Sequence, residues 1–163
     1  MGAGNEIEWL GRDEQRAWRA YILGTELLQH QLDHELREEH DISFSEYEIL
    51  VRLSETVDGR MRMATLADSM CHSRSRVTHT VARMERADLV VREASRADGR
   101  GVEAVMTDEG RRVLIAAAPT HVRGVREHLV DLASKQDFAA LGRIFDEVSE
   151  RLLQDKPEEA DIR

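Results

Sequence analysis

Along most of the chain, apolar side chains recur with helical spacing, and the places where that spacing fails mark the joints. From 13 to 39, Trp18, Ile22, Leu28, Leu32 and Leu36 trace one face, widened by Tyr21, Leu23 and Leu27. This predicts one long helix with a stripe broad enough to pack on its own domain and on a partner. In "DISFSEYEILVRLSE", Ser45 precedes Glu48 by three residues and Ile49, Leu50 and Leu53 follow, which predicts a capped second helix ending near Glu55. Asp58-Gly59 breaks the pattern, a short third helix is expected from Ala64 to about Met70, and "CHS" leads to Ser73 as the next N-cap. The helix from Arg74 to about Arg86 should turn Val77, Val81 and Met84 inward and Arg74, Ser75, Arg76, Thr78, His79 and Arg83 outward. "LVVREA" and "VEAVMT" read as two short strands joined by "SRADGRG", a hairpin with an arginine-bearing tip. After Thr107, an N-cap, the series Val113, Leu114, Ala117, His121, Val122, Val125, Leu129, Leu132 predicts a long fifth helix that Pro119 should kink or reset. Phe138, Leu141, Phe145, Val148 and Leu152 predict a last helix over 135–153, with polar tails at 1–12 and 154–163.

Composition narrows the class. The 163 residues suffice for one domain, and 41% hydrophobic residues with only 4% aromatics favour a mainly helical globular chain. Cys71 is the only cysteine, so no intramolecular disulfide can form. That usage points to a reducing, cytoplasmic setting and to Cys71 as a buried structural thiol. No apolar run reaches the roughly 18 residues needed to cross a bilayer, so no membrane partner is expected. There is no glycine-rich phosphate loop, no nucleophile elbow and no carboxylate cluster with a partner base, so neither an enzyme nor a bound cofactor is expected.

Charge distribution says more than its total of −9. From Arg60 to Arg112 eleven arginines stand against eight acids, a net +3, which leaves −12 on the flanks. A basic island built as helix, helix, short helix, arginine-rich helix and hairpin has the order of a winged helix-turn-helix, whose recognition helix fits the DNA major groove. On this reading Ser73, Arg74, Ser75, Arg76, Thr78, His79 and Arg83 meet DNA from the helix. Arg96, Asp98 and Arg100 belong to the wing tip.

Two stretches, "SRVTHTVARMERADLVVRE" and "DGRGVEAVMTDEGR", make the chain resemble the MarR family of bacterial transcriptional regulators from about Asp13 to Leu153. The resemblance implies that Arg100 enters the minor groove with Asp98 setting the wing, and that Ser75, Arg76, Thr78 and His79 face the major groove. It implies a homodimer formed by helices over 13–39 and 107–153, with Trp18 in its core, around a DNA-binding lobe over 44–106. It also implies a regulator, by family habit a repressor of a pseudo-palindromic operator, released by a small phenolic or other effector. The effector would sit between the modules, near His30, His34 and Tyr47. Two departures stand out: His79 replaces the usual arginine, and Asp88 the usual glycine at the end of the recognition helix. Two alternatives remain open. One is a dimeric interaction module that has lost DNA binding. The other is a metal- or pH-responsive regulator using histidines, with His30 and His34 at metal-compatible i, i+4 spacing and His121 and His128 joining only if the fold brings them close.

Overall fold

The computed structural model describes residues 7–95 and 101–154. Its elements are α1 (Arg12–His40), α2 (Phe44–Ser54), β1 (Arg60–Arg62), α3 (Met63–Ser69), α4 (Arg74–Arg86), β2 (Val90–Ala94), β3 (Val102–Met106), α5 (Asp108–His128), a 3-10 turn (Val130–Leu132) and α6 (Lys135–Gln154). The fold is mainly helical with one small antiparallel sheet, as the periodicity predicts. One strand was not legible: Arg60–Arg62, too short to show alternation, pairs with β3 through Arg60↔Val105 and Arg62↔Glu103. The sheet order is therefore β1-β3-β2 rather than a bare hairpin.

One core holds the winged lobe together. Ile49, Leu50 and Leu53 of α2, Leu66 of α3, Val77, Val81 and Met84 of α4, and Val90 of β2 are almost fully buried. Leu36 of α1 and Ala117 of α5 join the same cluster, so the long helices grip the lobe through its own core. Helix α5 lies close beside α1: a Cβ on Gly124 would meet Leu32 Cδ2 at 2.8 Å and Glu35 Oε2 at 2.4 Å. Glu39 accepts from Thr120 at 2.8 Å and pairs with Arg123, and His128 Nε2 meets Glu35 Oε1 at 2.7 Å.

Four local expectations need correction. The α2 cap is Ser43 with Glu46, not Ser45 with Glu48: Ser43 Oγ accepts from Glu46 N at 3.2 Å, and Ser43 N donates to Glu46 Oε2 at 2.7 Å. Two Ser-x-x-Glu frames overlap here, and tertiary partners chose between them, because Asp33 Oδ1 of α1 accepts from Phe44 N at 2.8 Å. Of the two expectations for Pro119, a reset does not occur, since α5 continues through it, and Leu129 and Leu132 fall beyond the end of that helix. Alpha3 begins at Met63, one residue early. Cys71 is exposed rather than buried. It closes α3 in the left-handed region (φ 51°), with His72 N bonding Ala67 O and Cys71 N bonding Asp68 O, both at 3.0 Å, a geometry that turns the side chain outward.

Candidate nucleic-acid interface

Alpha4 is built to show one face. Ser73 caps it, its hydroxyl accepting from Arg76 N at 3.3 Å, and Val77, Val81 and Met84 anchor the inner side. Arg74, Ser75, Arg76, Thr78 and His79 are exposed. Thr78 folds its hydroxyl back onto Arg74 O at 2.7 Å, which leaves its methyl group for apolar contact. A cleft of about 300 Å³ separates this helix from the wing root and is lined by Arg62, Met63, Ala64, Arg74, Thr78, Gly101 and Val102. Arg96, Asp98 and Arg100 lie outside the described residues.

The far end of α4 is clamped. Asp88 adopts the left-handed conformation (φ 57°), as its place after the helix requires. Leu89 N bonds Met84 O at 2.9 Å, and Thr107 Oγ1 donates to Asp88 O at 2.6 Å while accepting from Gly110 N at 2.9 Å. One threonine therefore caps α5 and ties down the turn that ends α4.

Arginines within the lobe divide into two groups. Arg60, only 10% exposed, meets Glu93 at 2.6 Å and Glu103 at 3.2 Å, with Ser95 Oγ donating to Glu103 at 2.8 Å, and so pins the root of the wing. Arg92 pairs with Glu85 at 2.7 Å, and Arg83 with the buried Glu46 at 2.6 Å. Among the described residues, no carboxylate lies within ion-pair distance of Arg74 or Arg76, although Arg76 acts on the Glu48 carboxyl from farther off. No sequence signal marked the ion pairs of Arg60, Glu46 and Glu103, because each charged partner lies more than thirty residues away and is joined only by folding.

The predicted effector residues do not converge. His30 and His34 are exposed on α1, His34 3.5 Å from Glu38, whereas Tyr47 is buried on α2. Tyr47 instead packs against His121 of α5 in a tilted ring pair with centroids 4.6 Å apart, and Phe44 packs against the same imidazole, also tilted, at 5.9 Å. These rings line a cavity of about 180 Å³ with Glu48, Val51 and Arg52. Burial pushes the Glu48 carboxyl and Tyr47 hydroxyl up and holds the His121 imidazole below the ordinary histidine range, and His121 Nδ1 is buried without a partner. His128 is committed to Glu35, and among the described residues no cluster of three or more His, Cys, Asp or Glu side chains could hold a metal ion.

Lowering of the His121 pKa has a defined sign. Below about 6.5 the unfolded chain takes up a proton that the folded imidazole refuses, so stability falls as pH drops. His121→Phe keeps the stacked ring and removes the titration. It should shrink the loss of Tm between pH 7.5 and 5.5 by about 3 °C, read by circular dichroism melts. An unchanged loss would remove His121 from the acid response.

An antiparallel wing beside a capped basic helix, both carried on long helices, defines a winged-helix transcriptional regulator. The chain belongs to the MarR family of such regulators: the family model matches residues 40–101. AbsC, a MarR family regulator from Streptomyces coelicolor, is 40% identical with a TM-score of 0.83, covering 90% of this chain and 98% of its own. Sco3205 from the same organism, solved in complex with DNA, is 40% identical with a TM-score of 0.84, covering 88% of this chain and 94% of its own. The organohalide-sensing regulator RdhR-CbdbA1625, in its 2,4-dichlorophenol-bound form, shares the fold at 14% identity and a TM-score of 0.76, covering 96% of this chain and 92% of its own. Comparison with curated proteins finds no match. No described helix is long and apolar enough to cross a membrane.

Proposed function

We propose that the chain is a homodimeric, DNA-binding transcriptional repressor, one recognition helix entering the major groove of each half-site of a pseudo-palindromic operator. The observation that carries this reading is the division of arginines. Within the lobe, Arg60, Arg83 and Arg92 form ion pairs with acids, whereas Arg74 and Arg76 stand exposed without an ion pair beside Ser75, Thr78 and His79. Unpaired guanidinium groups on an otherwise acidic protein suit phosphate or guanine edges. The DNA complex of the 40% identical Sco3205 supports the same partner. Arg100 is assigned to the minor groove, as the resemblance implies, together with Arg96 and Asp98 of the same segment of the sequence. The half-sites should lie about 34–36 Å apart, one helical turn.

The effector site is assigned to the cavity between Tyr47 and His121, where α2 of the lobe meets α5. A small phenolic compound stacked on these rings would favour one spacing of the recognition helices over another, shifting the population away from the operator-bound form.

Binding to the upstream intergenic DNA across a salt series tests the reading, with Arg76→Ala and Arg100→Ala beside the wild type. The wild type should select a discrete site, and each variant should lose about tenfold in affinity and about one unit of salt slope. No preference over random duplex for the wild type would favour a protein-interaction module instead.

A further inference from the structure

Arg83 lies on the recognition helix with half its side chain exposed, the place of a phosphate contact, yet its guanidinium is turned inward. Its Nε donates to Glu46 Oε1 at 2.6 Å and its Nη2 to Ser43 Oγ at 3.1 Å. Glu46 is nearly buried, and its other oxygen accepts from Ser43 N at 2.7 Å and Ser43 Oγ at 2.8 Å. Burial opposes the charged carboxylate, but the bonds from Arg83 and Ser43 outweigh it and hold Glu46 below the usual carboxylate range. The same α2 N-terminus is tied to α1, where Asp33 Oδ1 accepts from Phe44 N at 2.8 Å and Oδ2 accepts from Arg37 Nε at 2.6 Å. Three helices therefore meet at consecutive residues of one cap.

We infer that Arg83 is a positioning residue and not a DNA contact: with Glu46 it fixes the angle of α4 on the α2 N-terminus and, through Asp33, on α1. This rests on the DNA-binding reading for its consequence, though the joint itself exists without DNA. The core holds the inner face of α4 along its length through Val77, Val81 and Met84, and Arg83 and the Thr107 clasp on Asp88 add polar ties at its C-terminal half, while Arg74, Ser75, Arg76, Thr78 and His79 face outward. A change in α1 would then reach the recognition helix through the α2 cap as a change in the angle of α4.

The test is a cycle of Arg83→Gln, Glu46→Gln and the double variant in the full chain, with Arg76→Ala as the control. Operator affinity is measured across a salt series, and amide hydrogen exchange of α4 is measured on the free protein. A positioning role predicts that Arg83→Gln and Glu46→Gln each weaken operator binding about tenfold with the salt slope unchanged, and that the double variant loses no more than either single. It also predicts about tenfold faster exchange in the last two turns of α4 for both. Arg76→Ala should instead lower the slope by about one unit and add to Glu46→Gln. A slope reduced by Arg83→Gln while Glu46→Gln leaves affinity unchanged would make Arg83 a phosphate contact and overturn the inference. Should the wild type and Arg76→Ala alike show no site preference, the DNA-binding reading fails, and the exchange data alone decide: unchanged α4 exchange in both glutamine variants refutes the joint. If either variant melts below the assay temperature, Arg83→Lys, which keeps the charge but not the paired bonds, takes its place with the same expectations.

Discussion

Gly110→Ala is expected to destabilise the fold by at least about 3 kcal/mol, a fall in Tm of about 10 °C for a chain of this size, read by thermal or urea denaturation. A Cβ built on Gly110 would sit 2.1 Å from Leu89 O and 3.1 Å from Leu89 C. Both are backbone atoms of the turn that ends the recognition helix, so no side-chain rotation can make room. Taken alone, alanine favours a helix over glycine by about 1 kcal/mol, and that gain is overwhelmed by the overlap. Relief by shifting the first turn of α5 outward would break the bond from Gly110 N to Thr107 Oγ1 and with it the Thr107 clasp on Asp88. The Thr-x-x-Gly of "TDEG" is thus one device: the threonine makes the bonds, and the glycine permits the approach that lets it make them. A variant as stable as wild type would show that the two segments need no such closeness.

The second large effect is expected at the proposed dimer surface. No residue of α6 whose burial is described is buried, and Phe138, Ile144, Val148 and Leu152 are all more than a third exposed. Trp18, Leu23 and Leu27 on α1 and Ile115 and Val122 on α5 are exposed as well. Within one chain α6 touches α1 through the Tyr21–Phe145 ring contact at 5.2 Å. Amphipathic helices owe most of their stability to tertiary packing, and in the proposed dimer a second copy laid on this twenty-residue helix would add to it. Ile144→Asp with Val148→Asp removes two apolar side chains from each copy, a loss of at least about 6 kcal/mol in a symmetric interface. Sedimentation at micromolar concentration should show monomers, and operator affinity should fall by more than about 100-fold as the second half-site is lost. A dimer that survives both aspartates would place the interface elsewhere.

At low pH the joints between helices should loosen before the core. Burial works against charged Glu35 and Asp33 as it does Glu46, but in each the hydrogen bonds win and the folded carboxyl lies below its ordinary range. Such groups stabilise the fold fully above the unfolded carboxylate pKa, and that contribution disappears as pH falls through the lower, folded value. His121 acts at higher pH and in the same direction, so acid titration followed by hydrogen exchange should show the α1–α5 and α2 contacts opening in two stages.

What the sequence by itself determined is what repeats or closes locally. Val77, Val81 and Met84 placed α4 from Arg74 to Arg86 without error, and Ser73 and Thr107 were legible as caps, because each depends on neighbours within one or two turns, while the resemblance placed Asp88 at the end of the helix. The exposed apolar stripe of α1 was likewise legible as a surplus over what one core needs. Only the tertiary structure decided between Ser43 and Ser45, since both frames satisfy the local rule and Asp33 and Arg83 break the tie from distant helices. It alone added β1, whose three residues are strand only because β3 pairs with them, and moved the rings of Tyr47 and His121 together while leaving His30 and His34 in solvent. It also turned Arg83 from an apparent surface charge into the partner of a buried carboxylate. The physical reason is common to all of these: helix periodicity and capping are short-range and written in adjacent residues, whereas the choice of partner for a charge, a ring or a strand edge is made by whichever group folding brings within bonding distance.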